Sequence, residues 1–294
     1  MSSSLEANIS QALGRDFRLE AQQGIAGGSI NRANRINGRL DKNEAVSFFI
    51  KFNHKAQLPM FEAEAAGLDE MARSRAITVP GVICSGTEGA QSYLVLEYLN
   101  FSAAQANSAQ LLGQQLARLH QETTRQFGWQ QNNTIGSTRQ INNWTESWID
   151  FWREQRLGFQ LELAKQNGVS RSLYNKGQQL LDRVEIFFNA YDPVPSLLHG
   201  DLWSGNYGFI ENGEPVIFDP AVYYGDREAD IAMTELFGGF PAEFYSAYNE
   251  AWPLAQGYQQ RKTLYNLYHI LNHFNLFGGG YAMQAESMLD QLIN

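Results

Sequence analysis

Leu197-Leu198-His199-Gly200-Asp201-Leu202-Trp203-Ser204-Gly205-Asn206 is the stretch on which the reading of this sequence turns. It follows an apolar run and brings an aspartate and an amide onto one tight, glycine-containing loop. A carboxylate at Asp201 can accept the proton of an attacking hydroxyl or orient it. An amide oxygen at Asn206 can reach a hard cation such as magnesium. After thirteen further residues, the apolar run Val216-Ile217-Phe218 ends in Asp219-Pro220, which sets a second carboxylate at the end of a strand. Asp201 alone could be a turn former, so the weight rests on the spacing of the whole set.

His, one residue, Asp, four residues, Asn, then an aspartate closing the next strand is the spacing of a kinase catalytic loop and its metal-binding aspartate. Asp201 is then the expected base, with Asn206 and Asp219 the expected magnesium ligands. Working outward, Lys51 stands in the apolar strand Phe48-Phe49-Ile50-Lys51-Phe52, and a strand lysine between apolar neighbours needs a partner. Glu64, on the following helix, supplies one, and the pair would hold the ammonium on the α- and β-phosphates of ATP. Gly27-Gly28-Ser29-Ile30-Asn31 is a glycine-rich turn whose N–H groups could cover phosphates. Taken singly, the turn is a plain hairpin and the lysine a solvent-facing one; in order, the four parts point to phosphoryl transfer.

The flanking pattern fits. The first hundred residues read strand, strand, helix, strand, strand: Arg32–Leu40, Glu44–Asn53, Phe61–Arg73, Val79–Ile83 and Tyr93–Tyr98, after a short helix near Leu5–Leu13. Beyond Leu99–Asn107 helices dominate: Ala109–His120, Trp144–Lys165, Ser172–Ala190, Ala242–Trp252 and Gln259–Phe277, with a strand-like island at Ser196–Phe218. The expected fold is α+β and bilobal, protein-kinase-like. Residues 1–98 form a small β-rich nucleotide-binding lobe and residues 99–294 a larger helical catalytic and substrate-binding lobe, with the nucleotide clamped in the cleft between them.

A net charge of −9 argues against electrostatic binding to nucleic acid. The single cysteine, Cys84, excludes an intramolecular disulfide and a cysteine-based zinc site and fits a reducing compartment. Neither a signal peptide nor a membrane span is legible, so a cytoplasmic location and no membrane partner are expected. His120, His269 and His273 read as packing residues.

GGSIN at 27–31, the lysine strand at Lys51, FEAEAAGL around Glu64, LLHGDLWSGN at 197–206 and FDPAVYYGDREADIAM at 218–233 together resemble the fructosamine kinases (ketosamine 3-kinases), relatives of aminoglycoside and choline kinases. The likeness extends over nearly the whole chain. It implies an ATP- and magnesium-dependent enzyme that phosphorylates the 3-hydroxyl of ketoamines, either small adducts or glycated lysines of proteins, in deglycation repair; a monomer is expected. Microbial relatives often prefer smaller sugars such as ribulosamine or erythrulosamine. It also implies an adenine hinge at Glu97, Tyr98 and Leu99. Trp203 is either a wall for the ketoamine, since an aromatic face attracts a cationic amine, or a support for the loop. Tyr224, Asp226 and Glu228 are further substrate candidates, and Asp230 is expected to anchor the catalytic loop. Ser29 stands where some relatives carry a cysteine, so a disulfide switch there is not available. An aminoglycoside- or choline-type phosphotransferase is the alternative. A pseudokinase binding module is disfavoured because Lys51, Asp201, Asn206 and Asp219 are all intact.

Overall fold

Period two governs the N-terminal sheet. In the strand β3 (Glu44–His54), Phe48, Ile50 and Phe52 face one way and Phe49 and Lys51 the other, because successive strand side chains alternate. In this computed structural model, which describes residues 4–25 and 30–294, both faces are covered. The helix α1 (Ser4–Leu13) sets Leu5 and Ile9 against Phe48, Ile50, Tyr93 and Val95. On the other face, α2 (Leu58–Ser74) sets Met60, Phe61 and Leu68 against Leu94 and Leu96. Pro59 suits the first turn of α2, where its missing N–H costs nothing. Two helical faces on a doubly apolar strand explain why β3 reads as a near-continuous apolar run.

The sheet is antiparallel in the order β1-β2-β3-β5-β4, with β1 at Phe17–Ile25, β2 at Arg32–Leu40, β4 at Val82–Glu88 and β5 at Gln91–Glu97. Two elements differ from expectation. β1 was not expected, and it is an edge strand with only Phe17 buried, so it carries almost no apolar alternation to reveal it. β4 starts three residues later than the Val79–Ile83 run suggests, because Pro80 has no N–H for the ladder. Gly27, Gly28 and Ser29 lie outside the described residues.

The chain divides into two compact units, Met1–Ser108 with Gly208–Phe218, and Ala109–Tyr207 with Asp219–Asn294. The second unit is mainly helical. It runs from α3 (Ser108–His120) through the short strands β6 (Asn133–Ile135) and β7 (Thr138–Gln140) to α4 (Trp148–Asp150). A π-helical segment, Phe151–Gly158, then leads into α5 (Phe159–Gln166) and α6 (Arg171–Leu181), so the helix expected over Trp144–Lys165 changes its winding midway. β8 (Ser196–Leu198) opens the island. β9 (Tyr207–Phe209) and β10 (Pro215–Ile217) form a hairpin, and Gly208–Phe218 belongs to the first unit, where Thr78 bridges Val216 and Ser102 N donates to Phe209 O. β11 (Tyr223–Gly225) then pairs antiparallel with β8, placing Tyr223 opposite Leu198. α7 (Glu228–Leu236), α8 (Ala242–Ala251), α9 (Tyr258–Phe277) and α10 (Tyr281–Ile293) complete the unit.

α9 is buried along most of its length, which explains its apolar and aromatic density. His269 is enclosed there and its Nδ1 has no hydrogen-bond partner. Burial, with help from the nearby His273, drops its pKa to about 3. The folded form therefore keeps this ring neutral while the unfolded chain protonates near 6.5. Its stabilising contribution is complete above pH 6.5 and is lost as pH falls toward 3. At pH 5 the difference amounts to about 2 kcal/mol. His269→Gln is expected to flatten the decline of melting temperature between pH 6.5 and 4; an unchanged acid limb in that variant would contradict the assignment.

Candidate active site

Two polar constellations stand out, one in each unit. In the first unit Lys51 lies on the α2 face of β3, and Glu64 sits one turn from Phe61 on the buried side of that helix. Lys51 Nζ meets Glu64 Oε1 at 2.6 Å, with both side chains nearly enclosed. An ion pair this shielded is costly to break from one side, because the remaining charge is stranded. Lys51→Met is therefore expected to lower stability by about 3 kcal/mol, with Lys51→Met/Glu64→Leu recovering most of it. A double variant no more stable than the single one would argue against the pair as the cause. Asn31 Oδ1 accepts from Asn53 Nδ2 at 2.7 Å, tying the start of β2 to the end of β3. At the end of β5, Glu97 N donates to Gly81 O and Glu97 Oε2 accepts from Gly81 N. Tyr98, half-buried, lies under the Arg35 guanidinium at 4.4 Å, and Leu99 is half-buried beside it.

In the second unit, β8 delivers the chain into the loop His199–Asn206. Gly200 has φ +82°, and a Cβ there would lie 2.1 Å from Ala221 O, so only glycine lets the loop approach the segment after Asp219 this closely. Ala221 N donates to His199 O at 2.8 Å across that contact. Asp230, fully buried at the start of α7, accepts from His199 N at 2.7 Å and from Gly200 N at 2.8 Å, so it anchors the loop as expected. His120 Nε2 reaches the same carboxylate at 3.1 Å, and Tyr248 Oη contacts His120 Nδ1 at 2.7 Å. Burial alone would raise the Asp230 pKa; the His120 contact and the Gly200 N–H outweigh it and hold the group ionised. His120 is thus a structural residue whose own pKa is lowered by burial.

Within the loop, Asn206 Nδ2 donates to Asp201 O at 2.8 Å and approaches Asp201 Oδ2 at 3.3 Å. The amide uses its nitrogen inward, which leaves its oxygen as the atom able to ligate. Asp201 is half-buried; burial first, then the charges of Asp219 and Asp230, push its carboxyl up to about 7, against the lowering contact from Asn206. Asp219 is exposed and holds φ +58°, an uncommon conformation for a residue with a Cβ. An exposed carboxylate and a spare amide oxygen make a hard, oxygen-only donor set of the kind that suits magnesium rather than zinc or copper.

Of the substrate candidates, Trp203 is exposed and its indole folds back over Gly205, where an added Cβ would meet the ring. Tyr224 is half-buried and its ring lies 6.1 Å from that of Trp144, an exposed tryptophan that sequence reasoning did not single out. Asp226 and Glu228 are placed differently from expectation. Asp226 is fully buried and accepts from Tyr191 Oη at 2.7 Å and from Tyr265 Oη. Glu228 is fully buried against Arg261 at 2.6 Å. Neither carboxylate reaches solvent; both tie the start of α7 to its neighbours, Asp226 through tyrosine hydroxyls and Glu228 through Arg261, because a buried carboxylate must be hydrogen-bonded or paired. Sequence reasoning gave no role to Arg227, which is buried and donates to Tyr248 Oη and to the carbonyls of Trp252 and Pro253.

The family model for fructosamine kinase matches residues 1–294. The chain is 50% identical over 286 residues to a protein named as a probable ketoamine kinase in Synechocystis sp., covering 97% of this chain and 94% of that one. It is 43% identical over 274 residues to the chloroplastic protein-ribulosamine 3-kinase of Arabidopsis thaliana, covering 92% and 81%. A crystal structure from Haemophilus somnus, assigned as a fructosamine-3-kinase, matches with a TM-score of 0.89 at 31% identity, covering 99% of this chain and 97% of that one.

Proposed function

The chain belongs to the fructosamine kinase family and is a kinase of the kinase-like fold, and from that premise we propose that it transfers the γ-phosphate of ATP to the 3-hydroxyl of a ketoamine, the adduct of a sugar with an amine or a lysine side chain. Such a reaction fits a role in deglycation. The observation that carries the reading is the loop His199–Asn206, in which a half-buried carboxylate with a raised pKa shares hydrogen bonds with the Asn206 amide on a scaffold fixed by Asp230.

The roles follow from the chemistry. Phosphoryl transfer asks the protein for positioning and charge neutralisation more than for covalent help. Asp201 aims the sugar hydroxyl and accepts its proton. Asn206 and Asp219 would hold the magnesium ion, which when bound offsets charge on the nucleotide phosphates. Lys51, fixed by Glu64, neutralises phosphate oxygens. Glu97, Tyr98 and Leu99 border the adenine, and the glycine-rich stretch containing Gly27, Gly28, Ser29 and Asn31 is assigned to the phosphates on its sequence alone. Trp203 and Tyr224 offer aromatic faces to a cationic amine. Among the described residues no helix is long and apolar enough to cross a membrane, and a reduced Cys84 suits a cytoplasmic enzyme.

The test is ATP consumption across ribulose-, erythrulose- and fructose-lysine adducts, with the phosphorylated carbon mapped in the product. Turnover with phosphate on the 3-hydroxyl is expected for at least one adduct. Turnover confined to an aminoglycoside or choline would replace this substrate class with the alternative one.

A further inference from the structure

Behind the segment that follows Asp219 lies a buried chain of polar side chains that the reaction described above does not use. Gln140, at the end of β7, is 1% exposed, and its Nε2 donates to Ala221 O at 3.0 Å and to Asn133 Oδ1 at 2.9 Å. Asn133, at the start of β6, donates from Nδ2 to Val222 O at 2.8 Å. Asn142 Nδ2 donates to Asn133 Oδ1 at 2.9 Å, and Arg156 Nη2 donates to Asn142 Oδ1 at 2.7 Å. Arg156 sits in the π-helical segment, fully buried, with its guanidinium 4.0 Å from the Tyr223 ring. Tyr268 Oη closes the chain by donating to Gln140 Oε1 at 2.8 Å.

Two consecutive carbonyls and the next side chain, at 221, 222 and 223, are thus gripped from one side by groups 67 to 89 residues earlier in the chain. From the other side Ala221 N is bound to His199 O. Two residues ahead of Ala221 in the chain is Asp219, held at φ +58°. A residue stays in such a conformation only when its surroundings over-determine it. Apolar side chains would fill the same volume, but they could not fix the carbonyls in direction. The supporting groups around a metal ligand commonly set its affinity for the metal.

We propose that Gln140 and Asn133 are positioning residues that fix the backbone after Asp219, and through it the direction of the Asp219 carboxylate toward a divalent cation. The proposal rests on the reading of Asp219 as a cation ligand. It predicts that loss of either amide weakens the cation and slows turnover, while KM for the ketoamine changes little.

The experiment uses the full chain with Mn²⁺ as probe and a non-hydrolysable ATP analogue, free Mn²⁺ being read by electron paramagnetic resonance. Gln140→Met and Asn133→Ala are each expected to raise the Kd for Mn²⁺ by about 10–100-fold and to lower kcat in parallel. Leu289→Ala, an α10 core truncation, serves as the control and is expected to lose stability with the Mn²⁺ affinity kept. Wild-type Mn²⁺ affinity in folded Gln140→Met or, should that variant fail to fold, in Asn133→Ala would overturn the proposal and leave the network a packing device. Asp219→Asn separates the two layers of argument. Unchanged Mn²⁺ affinity in Asp219→Asn would overturn the ligand reading, and this proposal with it. Weakened affinity there with none in Gln140→Met and Asn133→Ala would overturn the positioning role alone.

Discussion

Replacing Asp201 by asparagine is expected to lower kcat by about 10²–10⁴-fold while ATP still binds, and to raise the melting temperature of the metal-free protein above pH 7. The substitution removes the carboxylate proposed to accept the hydroxyl proton and keeps the shape of the loop, since Asn206 Nδ2 still has the backbone oxygen at position 201 to bind. The second effect comes from the same environment. Burial and the neighbouring Asp219 and Asp230 charges push the folded-state pKa to about 7 from 3.8. A group raised in this way contributes stability that is complete below pH 3.8 and lost as pH rises through 7. At pH 8 the wild type carries a charge its surroundings disfavour, and the asparagine variant does not. Allowing for solvent screening at the rim of the loop, the gain is about 1–2 kcal/mol, or roughly 2–6 °C, and it should vanish at pH 4. The wild-type kcat/KM should fall tenfold per pH unit below about 7 as the base protonates. Near-wild-type turnover in Asp201→Asn would remove the base assignment. A lower melting temperature at pH 8 would contradict the electrostatic account of the site.

Removal of the Asp219 carboxylate should have a comparable effect, with turnover lost by about 10²–10³-fold or more at any attainable magnesium concentration. Three variants separate charge from backbone. Asp219→Ala loses the carboxylate and places a Cβ-bearing residue without local hydrogen-bonding capacity at φ +58°. Asp219→Asn keeps a side chain that tolerates this conformation, and Asp219→Gly removes the strain altogether. All three should be inactive, with stability in the order Gly, then Asn, then Ala, spanning about 1–2 kcal/mol. Metal-dependent activity surviving in any of them would contradict the ligand role. Equal stability of Gly and Ala variants would show that the backbone at this position is under no strain.

The legible parts of this chain were those where chemistry depends on local spacing. Asp201 and Asn206 are five residues apart on one loop, and Lys51 and Glu64 sit on adjacent elements, so the sequence displays each pair directly. The alternation in β3 even predicts the face that Lys51 shares with α2. Apart from Asp230, which the family resemblance marked as the loop's anchor, side chains whose partners are distant in sequence were not legible. Gln140 meets Ala221 across 81 residues, and nothing in the stretch Thr138-Arg139-Gln140 announces a buried amide. Asp226 and Glu228 illustrate the opposite failure. An acidic, glycine-containing block reads as a surface loop, but Tyr191, Tyr265 and Arg261 arrive from elsewhere to make burial tolerable.

By itself the sequence determined the small strand-rich first part and helical remainder, and which residues stand at the spacing of a phosphoryl-transfer loop, because periodicity and loop spacing are properties of neighbouring residues. Only the tertiary structure decided which acids face solvent and which are buried, where the hairpin Gly208–Phe218 belongs, and what holds the backbone around Asp219. Those outcomes depend on hydrogen bonds and desolvation between segments far apart in the chain, and such energies exist only once the segments have met.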